Sequence, residues 1–353
     1  MKEKLINYLV NLVKIPSVTG NEKNIAEYIH NFSKKYFPEE NIIRHNNSLI
    51  IWGNLDAQKK TIALIGHLDT VPGENSHTGK VIEGKLFGLG ASDMKGGLAV
   101  MMGLMEKFSN LNSRYNVIFV FYEKEEGPYE DNGLEPLLTN YDIIQKADLG
   151  IVLEPTNNTI QVGCLGTLHA SIIFNGKRAH SARPWQGENA IHKAADFLKR
   201  LAKYGIRKHE IDGMTYLEVM NATMVEFSGG RNIIPDKFVV NVNYRFAPGK
   251  TIDQAKEDVR NLVKGEAEIV FTDLCPSGNV CLYNPILSEL MERFRLKVEA
   301  KQAWTDVARL SLYGIDAVNF GPGDPSQAHQ KDEYIPVANL IKNYDILYKF
   351  IIS

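Results

Sequence analysis

The chain has 353 residues, and its 40 lysine and arginine residues nearly balance 42 aspartate and glutamate residues, which gives a net charge of −2. Hydrophobic residues make up 44% of the chain and charged residues 23%, which is ordinary for globular proteins and excludes disordered and fibrous classes. At roughly 150 residues per domain, this length predicts about two domains. Because no basic excess is available to neutralise phosphates, we expect a small-molecule partner and no nucleic acid.

The sequence carries no signal that directs the chain to a membrane or out of the cell. Residues 1–14 read as an amphipathic helix without a small-residue cleavage site. The longest apolar stretch, residues 96–105, is about half as long as a membrane-spanning helix. Cys164, Cys275 and Cys281 are odd in number and form no CxxC motif. We therefore expect a cytoplasmic protein with reduced thiols and no membrane contact.

The first half of the chain alternates apolar runs with amphipathic segments, which is the α/β pattern. The predicted strands are short and apolar on both faces, as in a sheet that is covered on both sides. Ligands of open α/β sheets bind beyond the carboxyl ends of the strands, so the residues after each strand are candidates for chemistry. We predict helices at residues 2–14, 22–36 and 98–108, and strands at residues 48–53, 61–66, 116–122 and 149–153.

The pattern changes near residue 164. A strand at 168–174, a helix at 189–204, a strand at 238–246 and a helix at 251–263 follow one another. In the strand 238–246, apolar side chains alternate with Asn241, Asn243 and Arg245, which is typical of an antiparallel sheet with one solvated face. A helix at 285–297, a strand at 317–320 and a helix at 336–352 complete the chain. We predict an α/β domain of residues 1–163 and 275–353, interrupted by an α+β domain of residues 164–274.

Histidine and acidic residues follow the predicted strands. His67 and Asp69 come directly after the strand 61–66, where an imidazole can bind a metal and a carboxylate can orient the imidazole. The alternative for this pair is an ordinary histidine near a turn. Asp93 lies in a glycine-rich turn before the helix 98–108, where it either caps the helix or binds metal.

Three further groups have the same character. Residues 123–126 contain adjacent carboxylates, Glu154 ends the strand 149–153, and His329 lies near the end of the chain. Alone, the first is explained by a solvated turn and the last by a surface histidine. Together, histidines and carboxylates beyond strand ends are the ligand types of a two-zinc site that leaves a position for water. One carboxylate can then hold a metal while its neighbour takes a proton from water.

Five motifs resemble the metal-site motifs of the co-catalytic di-zinc peptidases and deacylases, the M20-type family. They are GHLDTVPG, GLGASDMKGG, the Glu-Glu-Gly-Pro segment at 125–128, LEPT and AHQKDE, and the similarity covers nearly the whole chain. The resemblance implies an α/β, zinc-peptidase-like catalytic domain with an inserted α+β, ferredoxin-like lid and dimerisation domain. It also implies two Zn²⁺ ions per subunit, with Co²⁺ as an alternative.

The resemblance also implies the roles of the catalytic-domain residues. Asp93 would bridge the two metal ions, Glu125 would be the general base, and Asp69 would orient His67. The implied metal ligands are His67, Asp93, Glu126, Glu154 and His329.

Further roles are implied for the insert, which would join two subunits into a homodimer. His180 matches a lid histidine that reaches the active site of the partner subunit, and its alternative is a surface histidine. Asn232 and Arg245 match positions that bind a substrate carboxylate, although a cross-strand ion pair would also explain Arg245. The residues expected to line the pocket are Thr305, Asp306 and Arg309.

Longer stretches, such as GENAIHKAA and NVNYRFAPGKT, are similar to the actinobacterial branch of the family's desuccinylases. This similarity implies hydrolysis of N-succinyl-L,L-2,6-diaminopimelate to succinate and L,L-2,6-diaminopimelate in lysine biosynthesis. Other members cleave related N-acyl amino acids, such as N-acetylornithine, or dipeptides at the same kind of site, so these reactions are alternatives. A non-catalytic binding protein is a further alternative, although every implied ligand and the implied base are present.

Overall fold

The computed structural model describes residues 1–108 and 113–352. The chain divides into two compact units. The first consists of Met1–Gly163, Cys281–Glu299 and the chain from Arg309 onward, and the second of Cys164–Val280 and Ala300–Ala308. Compared with the predicted domain bounds, residues 275–280 and 300–308 belong to the second unit.

The part of the first unit that precedes residue 164 alternates helices with strands. Its helices are α1 (Lys2–Val13), α2 (Lys23–Ser33), α3 (Gly96–Phe108) and α4 (Leu134–Asn140). Its strands are β1 (Ile42–His45), β2 (Ser48–Trp52), β3 (Thr61–His67), β4 (Val81–Ile82), β5 (Lys85–Phe87), β6 (Asn116–Tyr122), β7 (Leu149–Pro155) and β8 (Ile160–Val162).

The second unit and the remainder of the first follow in the chain. The second unit contains β9 (Gly166–Asn175), β10 (Ala179–His180), α5 (Ala190–Lys193), α6 (Ala195–Ala202), β11 (Ile206–Ile211), β12 (Met214–Phe227), β13 (Ile233–Ile234), β14 (Lys237–Phe246), α7 (Ile252–Val263) and β15 (Glu268–Cys275). After it come α8 (Pro285–Phe294), β16 (Val298–Ala300), α9 (Val307–Leu312), β17 (Ala317–Gly321), β18 (Tyr334–Pro336) and α10 (Val337–Ile352).

The first unit is built around an eight-stranded sheet in the order β1-β2-β6-β3-β7-β17-β8-β16. Strand β3 runs parallel to both β6 and β7, and β17 runs parallel to β7. Every residue of β3, β6 and β7 is buried, which confirms the predicted sheet with both faces covered. Because these strands are parallel, their carboxyl ends lie at one edge of the sheet.

Helix α3 supplies much of the core of the first unit. Its residues from Gly96 to Met105 are all buried, and α1 and α10 pack against it. The apolar stretch that stood out in the sequence is therefore a core helix. Among the described residues, no helix combines the length and the apolar character needed to cross a membrane.

The second unit contains a five-stranded sheet in the order β11-β12-β14-β9-β15, and all of its strand pairs are antiparallel. One face packs against α6 and α7 through side chains such as Phe197 and Val259. The alternating burial of β14 confirms that Phe238 and every second residue up to Phe246 point into this core, whereas Asn241, Asn243 and Arg245 do not. Helix α7 begins with a capping box in which Thr251 and Gln254 satisfy each other's backbone N–H groups.

Two elements of the second unit differ from the predicted ones. The hairpin of β11 and β12 was not predicted, although its turn is an Asp-Gly pair, with φ of 49° at Asp212 and 77° at Gly213. Such a pair is a strong hairpin signal because both residues tolerate positive φ. The predicted helix 189–204 is two helices, which meet at Ala194, where the N–H bonds to the carbonyl of Ile191 three residues back.

Candidate active site

The sheet of the first unit brings acidic side chains and a histidine to one edge. His67 is the last residue of β3, Glu154 lies near the end of β7, and the loop after β6 carries Glu125 and Glu126. Asp93 lies in the irregular turn that leads into α3, and its peptide bond to Met94 is cis. The carboxyl ends of neighbouring parallel strands are where α/β proteins build their sites.

The five predicted metal ligands come together in the first unit. His67 Nε2 lies 3.2 Å from Asp93 Oδ1 and 3.8 Å from Glu154 Oε1. His329 Nε2 lies 2.9 Å from Glu126 Oε1 and 3.8 Å from Asp93 Oδ2. The two oxygens of Asp93 therefore face different histidines, each of which has a glutamate beside it. One ligand atom each from His67, Asp93 and Glu126 lies within 4.8 Å of the others.

The carboxylates in this cluster outnumber the imidazoles, so its charges do not cancel. Burial and the nearby Asp93 carboxylate raise the pKa of Glu126. Burial lowers the pKa of His67, but Asp69 and Asp93 more than offset this effect, so its pKa lies well above the usual value. Three carboxylates and two imidazoles that crowd together at a partly buried edge are the donor set of a divalent cation. The residues present therefore fit a metal site.

Asp69 connects several parts of the cluster and is fully buried. His67 Nδ1 lies 3.0 Å from the carbonyl oxygen of Asp69 and 3.5 Å from its Oδ1. The Asp69 carboxylate also accepts the backbone N–H groups of Glu125 at 2.9 Å and Glu126 at 3.0 Å, and the Thr19 hydroxyl at 3.0 Å. Asp69 therefore contacts His67, and it also holds the backbone of the loop that carries Glu125 and Glu126.

Two predicted residues of the second unit lie side by side. His180 is exposed and belongs to β10, which pairs with β13 so that His180 lies opposite Ile233. The N–H of Ser181 donates to the carbonyl of Asn232 at 3.0 Å. The Nδ1 atom of His180 accepts the N–H of Ala182 at 3.0 Å, which leaves Nε2 as the outward nitrogen of the ring.

Arg245 lies on the polar face of the second unit's sheet and is half-buried. Its Nε donates to Asn243 Oδ1 at 3.1 Å, and Asn243 Nδ2 lies 2.8 Å from His169 Nε2. Within the described part of the chain, Arg245 forms no ion pair, so the cross-strand pair that would have explained it is not present. Because Nε is bonded to Asn243, the two terminal nitrogens of the guanidinium group are the ones that could bind a carboxylate.

The three residues expected to line the pocket are all buried. Thr305 and Asp306 belong to the second unit, where the carbonyl of Thr305 accepts the Cys164 thiol at 3.5 Å. Arg309 belongs to the first unit, where it pairs with Glu135 and donates to the Tyr129 carbonyl at 2.9 Å. Its guanidinium carbon also lies 4.0 Å from the centroid of the Tyr129 ring. Arg309 therefore anchors the segment that follows Glu126.

Glu333 was not among the predicted site residues. This buried side chain accepts backbone N–H groups from the turn that contains Asp93. Burial raises its pKa to about 7, although the three amide bonds act in the opposite direction. The only hint in the sequence is its place in AHQKDE, four residues after His329.

Comparisons with known proteins identify the family of this chain. The model of peptidase family M20/M25/M40 matches residues 63–353. A Mycobacterium tuberculosis protein provisionally named a succinyl-diaminopimelate desuccinylase is 37% identical over 341 residues, which are 96% of each chain. The Corynebacterium glutamicum succinyl-diaminopimelate desuccinylase is 35% identical over 347 residues, which are 96% of this chain and 94% of the relative.

A solved structure supports the fold. The tripeptidase of Staphylococcus aureus superimposes with a TM-score of 0.81 at 20% identity, and the match covers 99% of this chain and 98% of the tripeptidase. The fold, the clustered ligands and the family match over most of the chain lead to one assignment: this chain belongs to peptidase family M20/M25/M40.

Proposed function

We propose that this protein hydrolyses N-succinyl-L,L-2,6-diaminopimelate to succinate and L,L-2,6-diaminopimelate, a reaction of lysine biosynthesis. The observation that carries the proposal is the complete cluster of two histidines and three carboxylates in a chain that is 35–37% identical, over 96% of its length, to relatives named for this reaction. Because amide hydrolysis needs an activated water and a stabilised oxyanion, a two-metal site suits the reaction.

The five clustered residues would hold two divalent cations, with His67 and Glu154 on one side and His329 and Glu126 on the other. Asp93 would bridge them, since its two oxygens face different histidines. Histidine and carboxylate ligands suit Zn²⁺, which we propose as the cofactor, and Co²⁺ accepts the same ligands. When bound, the ions activate water and polarise the scissile carbonyl.

Glu125 would act as the general base. Its backbone N–H is held by Asp69 at 2.9 Å, next to the N–H of the ligand Glu126. The two neighbouring carboxylates therefore start from one fixed piece of backbone and can divide their work, one binding metal and one moving protons. Glu125 would take a proton from the attacking water and return it to the departing amine.

Residues of the second unit would recognise the substrate. The substrate carries several carboxylates, and Arg245 offers a half-buried fork whose Nε is already fixed by Asn243. The same recognition would involve four further residues: Asn232, Thr305, Asp306 and Arg309. His180 lies in an exposed strand, as expected of a group that serves the active site of a partner subunit.

The second unit also supports a homodimer. Strand β11 pairs with β12 only over Met214–Val219, so from Met220 to Phe227 the outer edge of β12 has no strand neighbour among the described residues. Met224, Val225 and Phe227 are 61%, 57% and 64% exposed along this part. An open edge with apolar side chains is a template for pairing with another chain. We propose that a second copy of this protein covers it.

The function is tested on protein stripped of metal with a chelator and titrated with Zn²⁺. We expect no hydrolysis of N-succinyl-L,L-2,6-diaminopimelate before the titration and restored hydrolysis after it. We also expect kcat/KM to exceed the values for N-acetylornithine and for a dipeptide. These three substrates share the same metal chemistry, so differences in kcat/KM report the recognition of the acyl group and the amine together.

Two variants accompany the assay. Glu125→Gln should bind metal normally and lose turnover by about 10²–10⁴-fold, the usual worth of a general base. Glu130→Gln removes an exposed carboxylate from the next turn and should leave turnover unchanged. Hydrolysis of only N-acetylornithine or the dipeptide would reject the proposed substrate, and full turnover by Glu125→Gln would reject the proposed base.

A further inference from the structure

Glu333 has an unusual environment for a carboxylate. It is 2% exposed, and both of its oxygens accept backbone N–H groups from a single turn. Oε2 accepts the N–H of Gly90 at 2.7 Å, and Oε1 accepts those of Ser92 at 2.7 Å and Asp93 at 2.9 Å. Successive backbone N–H groups that converge in this way form a concave binding site for an anion. Here the anion is a side chain from about 240 residues later in the chain.

The turn itself is built to receive this carboxylate. Gly90 adopts a φ of 77°, and a Cβ atom there would lie 2.5 Å from the Thr70 methyl group, so only glycine fits. Ser92 of the same turn is also bonded to Asp324. The Ser92 hydroxyl donates to the carbonyl of Asp324 at 2.9 Å and accepts the N–H of Asp324 at 2.6 Å.

These contacts bracket His329. Asp324 lies before it in the chain and Glu333 after it, and both are bonded to the turn that carries Asp93. The segment that presents one candidate ligand is therefore tied at both ends to the segment that presents another. Between these two ties, His329 Nε2 lies 3.8 Å from Asp93 Oδ2.

We propose that Glu333 is a positioning residue that locks the turn carrying Asp93 to the segment carrying His329 and so sets the spacing of two metal ligands. The inference rests on the proposed metal site. Glu333 does not need to contact metal or substrate for this role, since its two oxygens are already engaged by the backbone. Orienting groups behind the ligands commonly change metal affinity or activity by about 10- to 100-fold.

Glutamine cannot replace this carboxylate. The amide oxygen of a glutamine could accept the N–H groups of Ser92 and Asp93, but its NH₂ group would then face the N–H of Gly90, donor against donor. Aspartate keeps the charge but is one methylene shorter, so it cannot reach all three N–H groups. The two substitutions therefore weaken the lock in different ways.

The test is the affinity of the chelator-stripped protein for Zn²⁺ alone, measured by calorimetry with a competing chelator. We expect Glu333→Gln to weaken Zn²⁺ binding by about 10- to 100-fold and Glu333→Asp to have an intermediate effect. Asp332→Asn, which removes the exposed neighbouring carboxylate, is the matched control and should bind Zn²⁺ like the unaltered protein. In the assay, excess Zn²⁺ should restore part of the kcat of Glu333→Gln with an unchanged KM.

A purely structural role predicts a different result. In that case Glu333→Gln would lower the melting temperature while the folded protein kept its Zn²⁺ affinity, and the proposal would be overturned. If Glu333→Gln does not fold, unaltered Zn²⁺ affinity in Glu333→Asp overturns it equally. Because the titration uses no substrate, weakened Zn²⁺ binding would stand even if the succinylated substrate were not hydrolysed.

Discussion

Asp69 contacts two separate parts of the candidate site. Its carbonyl oxygen and carboxylate both lie near His67 Nδ1, and its carboxylate holds the N–H groups of Glu125 and Glu126. A single buried side chain thus fixes a proposed ligand from one strand and the proposed base from the next. His67 lowers the pKa of Asp69 despite the opposing effect of burial, so the group is ionised at neutral pH.

We predict that Asp69→Asn lowers metal affinity or kcat without abolishing metal binding. The asparagine NH₂ group would face at least one of the two backbone N–H groups, and a lost bond to a buried donor costs about 1–3 kcal/mol. We expect metal affinity or kcat to fall by about 10- to 100-fold, measured by calorimetry and by the hydrolysis assay. Thr19→Val, which removes only the hydroxyl bond to Asp69, should have a smaller effect. Unchanged metal binding and turnover in Asp69→Asn would contradict this role.

The sequence indicated the site residues unevenly. His67, Glu154 and the acidic loop at 125–126 follow apolar strands, so strand ends alone placed them at one edge of a sheet. Glu333 gave no comparable signal, because its partners are backbone N–H groups about 240 residues away. The pairing of Arg309 with Glu135 was not expected, because nothing local to the sequence indicates that these two side chains meet. The place of Arg309 in the substrate pocket stays a prediction.

At the scale of the elements, predictions succeeded where the burial pattern was simple. Strands β3, β6 and β7 were predicted to within one or two residues, because they are apolar at nearly every position and fully buried. Strand β12 was not predicted. Its second half is exposed on both faces, so buried and exposed residues do not alternate there. An exposed strand is held by its backbone bonds to a neighbour, which a hydrophobic pattern does not report.

The same exposed half of β12 gives a prediction about assembly. Val225→Lys places a charge on the open edge, where lysine disfavours strand pairing, so we expect the homodimer to dissociate into monomers of 39.7 kDa in sedimentation velocity. Val270→Lys is the matched control, because Val270 is 43% exposed on β15, the opposite edge of the same sheet. A monomeric unaltered protein, or a dimer that survives Val225→Lys and not Val270→Lys, would contradict the proposed interface.

At the scale of the whole molecule, the reactivity of the three buried cysteine thiols can show which unit has unfolded. Each carries a thiol rather than a disulfide and is buried, Cys164 and Cys275 in the second unit and Cys281 in the first. Burial raises the pKa of Cys164, and it raises the pKa of Cys281 to about 12. Since the thiolate is the reactive form, burial protects all three thiols, and the raised pKa values of Cys164 and Cys281 add to this protection.

We predict that iodoacetamide modifies the native protein far more slowly at pH 8 than it modifies glutathione, and that denaturant exposes all three thiols. Peptide mapping at increasing urea concentrations would show whether Cys281 becomes reactive together with Cys164 and Cys275. Joint exposure would indicate that the two units unfold as one cooperative system, and separate exposure that they do not. Rapid modification of Cys281 in the native protein would contradict the raised pKa and the burial.

The position of β17 in its sheet has a consequence for biosynthesis. Strand β17 lies between β7 and β8, yet β8 ends at residue 162 and β17 begins at residue 317. While the ribosome makes the intervening chain, the edge of β7 lies open to pairing with other nascent strands. The first unit is therefore completed after the second, and its eight-stranded sheet can be finished only after Gly321 has left the ribosome.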